Sequence, residues 1–217
     1  WSFFNPLLML AVYTFVFGVI FKSRWRAESN STTEFTIILF AGLIVFNLFS
    51  ECINRSPSII LSNTNYVKKV VFPLEILPWV TLDSAGFHAL VSIFVWLIGY
   101  LVLFGIPHFT ILLLPAVLFP LILLIIGLIW FLASLGVYLR DASQFVGIFT
   151  MILLFLSPIF YPPSALPEGF FKTVLNLNPL TTIVEQVRDV MIWGNLPDPK
   201  KLSFTLLFGI LTACLGF

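Results

Sequence analysis

Six apolar runs divide the chain: Phe3–Phe21, Phe35–Phe49, Trp79–Phe104, Phe109–Leu139, Phe145–Phe160 and Leu202–Phe217. A membrane-spanning helix needs about 20 mostly apolar residues. Each run therefore predicts a spanning helix, with the second, fifth and sixth shorter than usual. Asn5 and Pro6 suit a helix start, Asn as the cap and Pro at the first helical position. Pro115 and Pro120 predict a bend early in the long fourth run, and Gly105–His108 a tight turn before it. Between the fourth and fifth runs, Arg140 suits a helix C-terminus, while Asp141 with Gln144 predicts a capping box that starts the next helix.

One compact polar stretch interrupts this pattern. Ser62–Pro78 reads SNTNYVKKVVFPLEILP, too polar to cross a bilayer. Projected at about 100° per residue, Tyr66, Val67, Val70, Val71 and Leu74 share one side, with Asn65, Lys68 and Lys69 opposite. Phe72 projects among the lysines, and Pro73 predicts the helix end. Two readings fit the pattern: an interfacial helix with snorkelling lysines, or a helix docked on a protein surface that covers Phe72.

The longest region between runs, Ser157–Lys201, is punctuated by Pro158, Pro162, Pro163 and Pro167, with Phe160, Tyr161, Leu166, Phe170 and Phe171 among them. Apolar backbone broken by proline is tolerated at membrane depth only where protein or a water-filled cavity covers it, which predicts re-entrant segments. Asn178-Pro179 then opens a predicted helix with Leu180, Ile183, Val184, Val187 and Met191 on one face and Gly194 as its stop. Glu185 and Arg188 are spaced to pair at i,i+3.

Composition makes the chain a polytopic membrane protein: 59% of residues are hydrophobic and 10% charged, against about a quarter charged in soluble domains. A net charge of +1 points to neither nucleic acid nor an acidic partner. Cys52 and Cys214 stand apart, each in or beside an apolar segment, and read as plain buried thiols. Trp25, Trp79 and Trp193 near run ends suit interfacial belts. The chain begins at Trp1 and ends within an apolar run, the pattern expected of a core segment of a longer protein.

Catalytic chemistry is sparse. Only His88 and His108 supply imidazoles, and the sequence holds no His-Glu-x-x-His, Gly-x-Ser-x-Gly or Cys-x-x-Cys motif. Asp83 and His88 project about 140° apart and do not share a helix face. Asp83 sits near a helix end, where interfacial hydration accounts for it. A phosphate-binding Gly-x-x-x-x-Gly-Lys-Ser/Thr loop is also missing, so energy for driven transport would come from a partner or an ion gradient. An ion-coupled carrier would carry ionisable residues near helix centres. The runs are almost free of them, which favours a partner. Among 25 Phe and 6 Trp, most would face lipid or neighbouring helices. The sharper reading is a sugar pathway, since aromatic faces stack on pyranose rings without fixing them.

Four stretches together resemble one family, the membrane subunits of ABC-2 type exporters for bacterial cell-surface polysaccharides such as O antigen, capsule and teichoic acid. They are Asn5–Lys22, Asn63–Pro78, the Leu139-Arg140-Asp141 junction, and Leu156–Glu168 with Leu177–Asp189. Their order and spacing cover nearly the whole chain. The resemblance implies an all-α permease, a single transmembrane domain over residues 1–217 with six transmembrane helices. It further implies a homodimer that binds two ABC ATPase subunits, which carry ATP and Mg while this chain holds no cofactor. The expected cargo is an undecaprenyl-diphosphate-linked glycan, and the expected location is the bacterial cytoplasmic (inner) membrane.

By the same resemblance, Asn63 to Glu75 match the cytoplasmic coupling helix that fits a groove on the ATPase, so Phe72 gains a covering surface. Within it Tyr66, Lys68 and Lys69 are expected as polar contacts and Val70 and Phe72 as the apolar plug. Asn63, Asn65, Val67, Pro73 and Glu75 complete the stretch, and Arg140 and Asp141 form a second, smaller contact. Pro158, Phe160, Tyr161, Pro162 and Phe171 are expected at the periplasmic exit. One feature departs from the family. Arg55, Lys68, Lys69 and Arg140 lie on the coupling side, and Lys22, Arg24, Arg26, Lys172, Arg188, Lys200 and Lys201 on the other, the reverse of the positive-inside rule. An ABC-2 permease for a drug or a lipid is the main alternative, and a membrane transferase acting on a lipid-linked sugar is another.

Overall fold

The computed structural model describes residues 4–16, 25, 32–63, 73–139, 141–163, 169, 175 and 177–217. These residues are helical or irregular, with no strand among them. Among the described residues, eight α-helices follow in order: α1 Phe4–Tyr13, α2 Thr32–Arg55, α3 Ile59–Ser62, α4 Leu77–Phe104, α5 Leu114–Tyr138, α6 Ala142–Leu156, α7 Pro179–Arg188 and α8 Pro199–Gly216. Every predicted apolar run thus contains a helix. Among the described residues, three helical spans are long and apolar enough to cross a membrane: Thr33–Ser62, Leu74–Phe104 and Phe109–Tyr138. At 1.5 Å per residue, 30 residues reach about 45 Å, beyond the roughly 30 Å hydrocarbon core.

Helix α2 outgrows the apolar run that predicts it, because Thr32–Glu34 and Ser50–Arg55 continue the helix at its two ends. Glu34 lies in its first turn and Arg55 in its last, the charge order that complements the helix dipole. It is also the most enclosed of the three spans. Trp96 of α4 donates its indole N–H to the Ile37 carbonyl at 3.0 Å, and Thr150 of α6 donates to Asn54 Oδ1 at 3.1 Å. The main core gathers Ile38, Ile44, Leu48 and Ile53 of α2 with Trp96, Leu121, Ile125 and Val187 from the helices around it.

Local predictions fare unevenly. Asn178 caps α7, its Oδ1 accepting from the Leu180 N–H at 3.0 Å. Gly194, at φ 69°, ends the π turn Asp189–Trp193 that follows, and Gly105 turns the chain after α4 at φ 87°. The capping box is not formed: Asp141 precedes α6 with no side-chain cap hydrogen bond, and its backbone carbonyl, in helical geometry, takes the Gln144 N–H. An N-cap side chain can reach the N–H two or three residues on only from an extended backbone, and Asp141 lies at φ −84°, ψ −1°. Asn5 and Pro6 lie within helix α1, Phe4–Tyr13. Pro115 falls in the first turn of α5, where a missing N–H costs nothing, and only Pro120 lies within the helix. Cys52 is buried, but Cys214 is exposed on this chain, because α8 turns that side away from its neighbour.

That neighbour is α5, and the two form the most extensive helix pairing among the described residues. A Cβ on Gly127 would strike the Thr212 backbone, and one on Gly216 would strike the Gly127 backbone. Small residues let spanning helices approach this closely where lipid offers no hydrophobic drive. Gly127→Ala is therefore expected to destabilise the detergent-solubilised protein by about 1–3 kcal/mol. Gly147→Ala, where a Cβ meets nothing within 4 Å, is expected to leave the thermal midpoint unchanged or raise it.

Candidate functional site

Two regions carry the expected site residues, one at each end of α2. At the far end, α2 runs through the turn Ser56–Ser58 into α3. Asn63 closes α3: its N–H donates to the Ile60 carbonyl at 3.2 Å and its side-chain amide to the Ile59 carbonyl at 2.8 Å. The chain is next described at Pro73, which accepts from the Ile76 N–H at 3.2 Å and opens the turn Leu74–Ile76. Asn65, Tyr66, Val67, Lys68, Lys69, Val70, Phe72 and Arg140 lie outside the described residues. Glu75 and Leu74 border a groove of about 290 Å³ with Ile59, Trp130 and Phe217. A Cβ on Gly136 of α5 would press on the Pro57 carbonyl. That contact brings the α5–α6 junction, with the exposed Asp141, to the same end of the fold as Asn63.

The other region is built around Arg188. Helical side chains lean toward the N-terminus, and Arg188, last in α7, reaches back into the bundle, where it is 3% exposed. Its Nε donates to the Ile38 carbonyl at 3.2 Å, Nη1 to the Pro158 carbonyl at 2.6 Å and Nη2 to the Ile159 carbonyl at 2.9 Å. The Trp25 ring lies 4.5 Å from its Cζ. Those three acceptors and the aromatic face compensate a charge that is otherwise costly to bury, and the planar fork of guanidinium matches several acceptors as an ammonium would not. Gly42 makes room, since a Cβ there would lie 2.6 Å from Nη2.

The i,i+3 pair with Glu185 does not form. Glu185 faces α8 and takes Lys201 Nζ at 3.0 Å, because Arg188 sits on the buried face of α7 and Glu185 at its edge. Around the clamp, Ser157 accepts from the Asn178 amide at 3.3 Å, and Tyr161 donates to the Phe155 carbonyl at 3.0 Å. Phe160 packs with Phe155 and Tyr13 at ring centroid distances of 6.0 and 6.4 Å. Pro158, Phe160, Tyr161 and Pro162 are therefore gathered in one packed turn after α6. Phe171 lies outside the described residues.

A third cluster joins α2 to α4. Glu51 accepts from Arg55 Nη2 at 2.8 Å and from His88 Nδ1 at 3.0 Å, and Arg55 Nη1 reaches Ser84 Oγ at 3.4 Å. Asp83, the carboxylate weighed from sequence, is exposed and outside this cluster. Among the described residues, no group of three or more His, Cys, Asp or Glu is placed to hold a metal ion.

The family profile described as ABC-2 type transporter matches residues 1–192. The O-antigen export system permease protein RfbA of Klebsiella pneumoniae is 25% identical over 218 residues, spanning 100% of this chain and 80% of that protein. The Myxococcus xanthus protein of the same description is 24% identical, spanning 93% of this chain and 75% of its own length. The polysialic acid transport protein KpsM of Escherichia coli is 27% identical over 221 residues, spanning 100% of this chain and 82% of that protein.

Arg188→Leu is expected to cost about 1–3 kcal/mol by stranding buried carbonyls, and Arg188→Lys to restore only part of it. Limited proteolysis of the turn at residues 157–163 and a thermal melt read both effects. Wild-type protection in Arg188→Leu would refute the clamp.

Proposed function

The chain belongs to the ABC-2 type transporter family, and from that premise we propose that it is the membrane-spanning permease subunit of an ATP-driven exporter of lipid-linked cell-surface polysaccharide. The observation that carries this reading is the end-to-end similarity to permeases named for O-antigen export and for polysialic acid transport. Six spans are proposed, with the shorter apolar helices α1, α6 and α8 joining the three long ones in one transmembrane domain over residues 1–217. Two copies would pair in a bacterial inner membrane, each with an ABC ATPase that supplies ATP and Mg. The cargo is a glycan on undecaprenyl diphosphate.

The proposed mechanism is mechanical. ATP binding draws the ATPases together, and the coupling stretch Asn63–Glu75 moves with its docking groove. Tyr66, Lys68 and Lys69 make polar contacts there, Val70 and Phe72 fill an apolar pocket, and Arg140 with Asp141 adds a smaller contact. The stretch continues directly from α2 and α3, so its displacement passes into the helix that carries the Arg188 clamp some 40 Å away at 1.5 Å per residue. The turn at Pro158, Phe160, Tyr161 and Pro162, with Phe171, then acts as a re-entrant exit gate, and its backbone carbonyls are the groups that Arg188 holds.

Phe72→Ala and Lys68→Glu are expected to preserve membrane insertion while abolishing export and uncoupling it from ATP hydrolysis. Both are read by surface glycan staining alongside the ATPase rate of the purified complex. Normal export by both variants would count against the docking role.

A further inference from the structure

From Phe35 to Phe46 every residue of α2 is buried. From there to the end of the helix, each residue that reaches the surface in whole or part is polar: Asn47, Ser50, Glu51, Asn54 and Arg55. The spacings of three, four and seven residues put them on one helix face. Ser84 and His88 of α4, one turn apart, face the same line through their bonds to Arg55 and Glu51.

Lipid would not wet such a face. The surfaces on either side follow the opposite rule: α4 exposes Phe87, Leu90, Phe94 and Ile98, and α6 exposes Phe145, Ile148, Phe149 and Ile152. These are the apolar exteriors expected in hydrocarbon. Ionisable side chains within a span instead face a bundle interior or a water-filled cavity. Here Arg55 and His88 keep 51% and 39% of their side-chain surface exposed, so this chain's own packing does not enclose them. Asn47 is the fifteenth residue of the 30-residue span Thr33–Ser62. The polar line therefore runs from mid-membrane to the end of α2 that leads into the coupling stretch, about 12 Å at 1.5 Å per residue.

We infer that Asn47, Ser50, Glu51, Asn54 and Arg55, with Ser84 and His88, form the wall of a hydrated vestibule that admits a polar, hydroxyl-rich cargo from the coupling side to the membrane centre. This rests on the transport reading above and names the segment of the chain that carries the path. Arg55 and Glu51 balance each other's charge, leaving a surface of hydrogen-bonding groups without a strong net attraction for either sign. Such a wall suits a glycan that must enter and keep moving. Beyond Phe46 the helix is sealed by packing, so the vestibule ends where the enclosed, clamped half of α2 begins.

Thiol accessibility tests this directly, because a thiolate reacts only where water reaches it. The full-length permease with its ATPase, in inverted membrane vesicles, carries Cys214→Ala to remove the exposed native thiol, and Cys52 is fully buried. Asn47→Cys and Ser84→Cys, both at exposed positions, should react with a membrane-impermeant sulfonated maleimide on the order of tenfold faster than Ile98→Cys on the lipid face. Asn47→Cys labelling as slowly as Ile98→Cys would overturn the vestibule, whether lipid or a second copy of the chain covers the face. Undecaprenyl-diphosphate-linked glycan from the host should slow labelling of Asn47→Cys several-fold. Fast labelling that this glycan leaves unchanged upholds the hydrated wall and overturns the glycan as its cargo, so the two readings fail separately.

Discussion

A guanidinium buried in an apolar bundle must find acceptors or unfold its surroundings, and the arrangement around Arg188 follows from that constraint. The three backbone carbonyls it engages belong to α2 and to the turn after α6, elements 120 residues apart in sequence, and the guanidinium itself comes from a third element, α7. Trp25 closes the remaining face. A turn broken by Pro158, Pro162 and Pro163 has few backbone hydrogen bonds of its own to offer. Its position is consequently set from outside, by Arg188 at one end of α7 and by Asn178, which both caps the other end and donates to Ser157.

Helix α2 has two characters because it meets two environments. Its first half is enclosed, with Trp96 and Arg188 adding second hydrogen bonds to the Ile37 and Ile38 carbonyls. Its second half opens along the polar line that begins at Asn47. The helical span of α2, the turn Ser56–Ser58 and α3 therefore connects the clamp, the polar wall and the Asn63 end of the coupling stretch. Close packing of α5 on α8 and of Gly136 on Pro57 braces that helix from the side, so force applied at one end meets a stiff element.

The helical class and the three long apolar helices were legible in the pattern of apolar runs, since a run of this length has few soluble alternatives. Asn178-Pro179 and Gly194 were equally legible, because capping and left-handed termination are local chemistry. Asp141–Gln144 shows the limit of local rules: the same residue types formed no side-chain cap once Asp141 took helical backbone angles. Arg188 was expected to pair with Glu185 at i,i+3, although its spacing held another signal. It falls four residues after Val184 and three before Met191, on the apolar face, where a cation is a buried one seeking acceptors. The acceptors could not be read, being backbone carbonyls distant in sequence. Glu51 and His88 were also invisible as a pair, since 37 residues separate them and only the packing of α4 on α2 joins them.

The proposed role makes this chain the membrane half of a machine driven by a separate ATPase and loaded with a lipid-linked glycan. The most direct measurement purifies the chain with a candidate ABC ATPase, reconstitutes both in proteoliposomes, and follows ATP hydrolysis as undecaprenyl-diphosphate-linked glycan is added. A stable complex is expected, with hydrolysis that rises with glycan and falls to the basal rate when the permease is omitted. Hydrolysis indifferent to glycan, or turnover of the glycan by the permease alone, would contradict it.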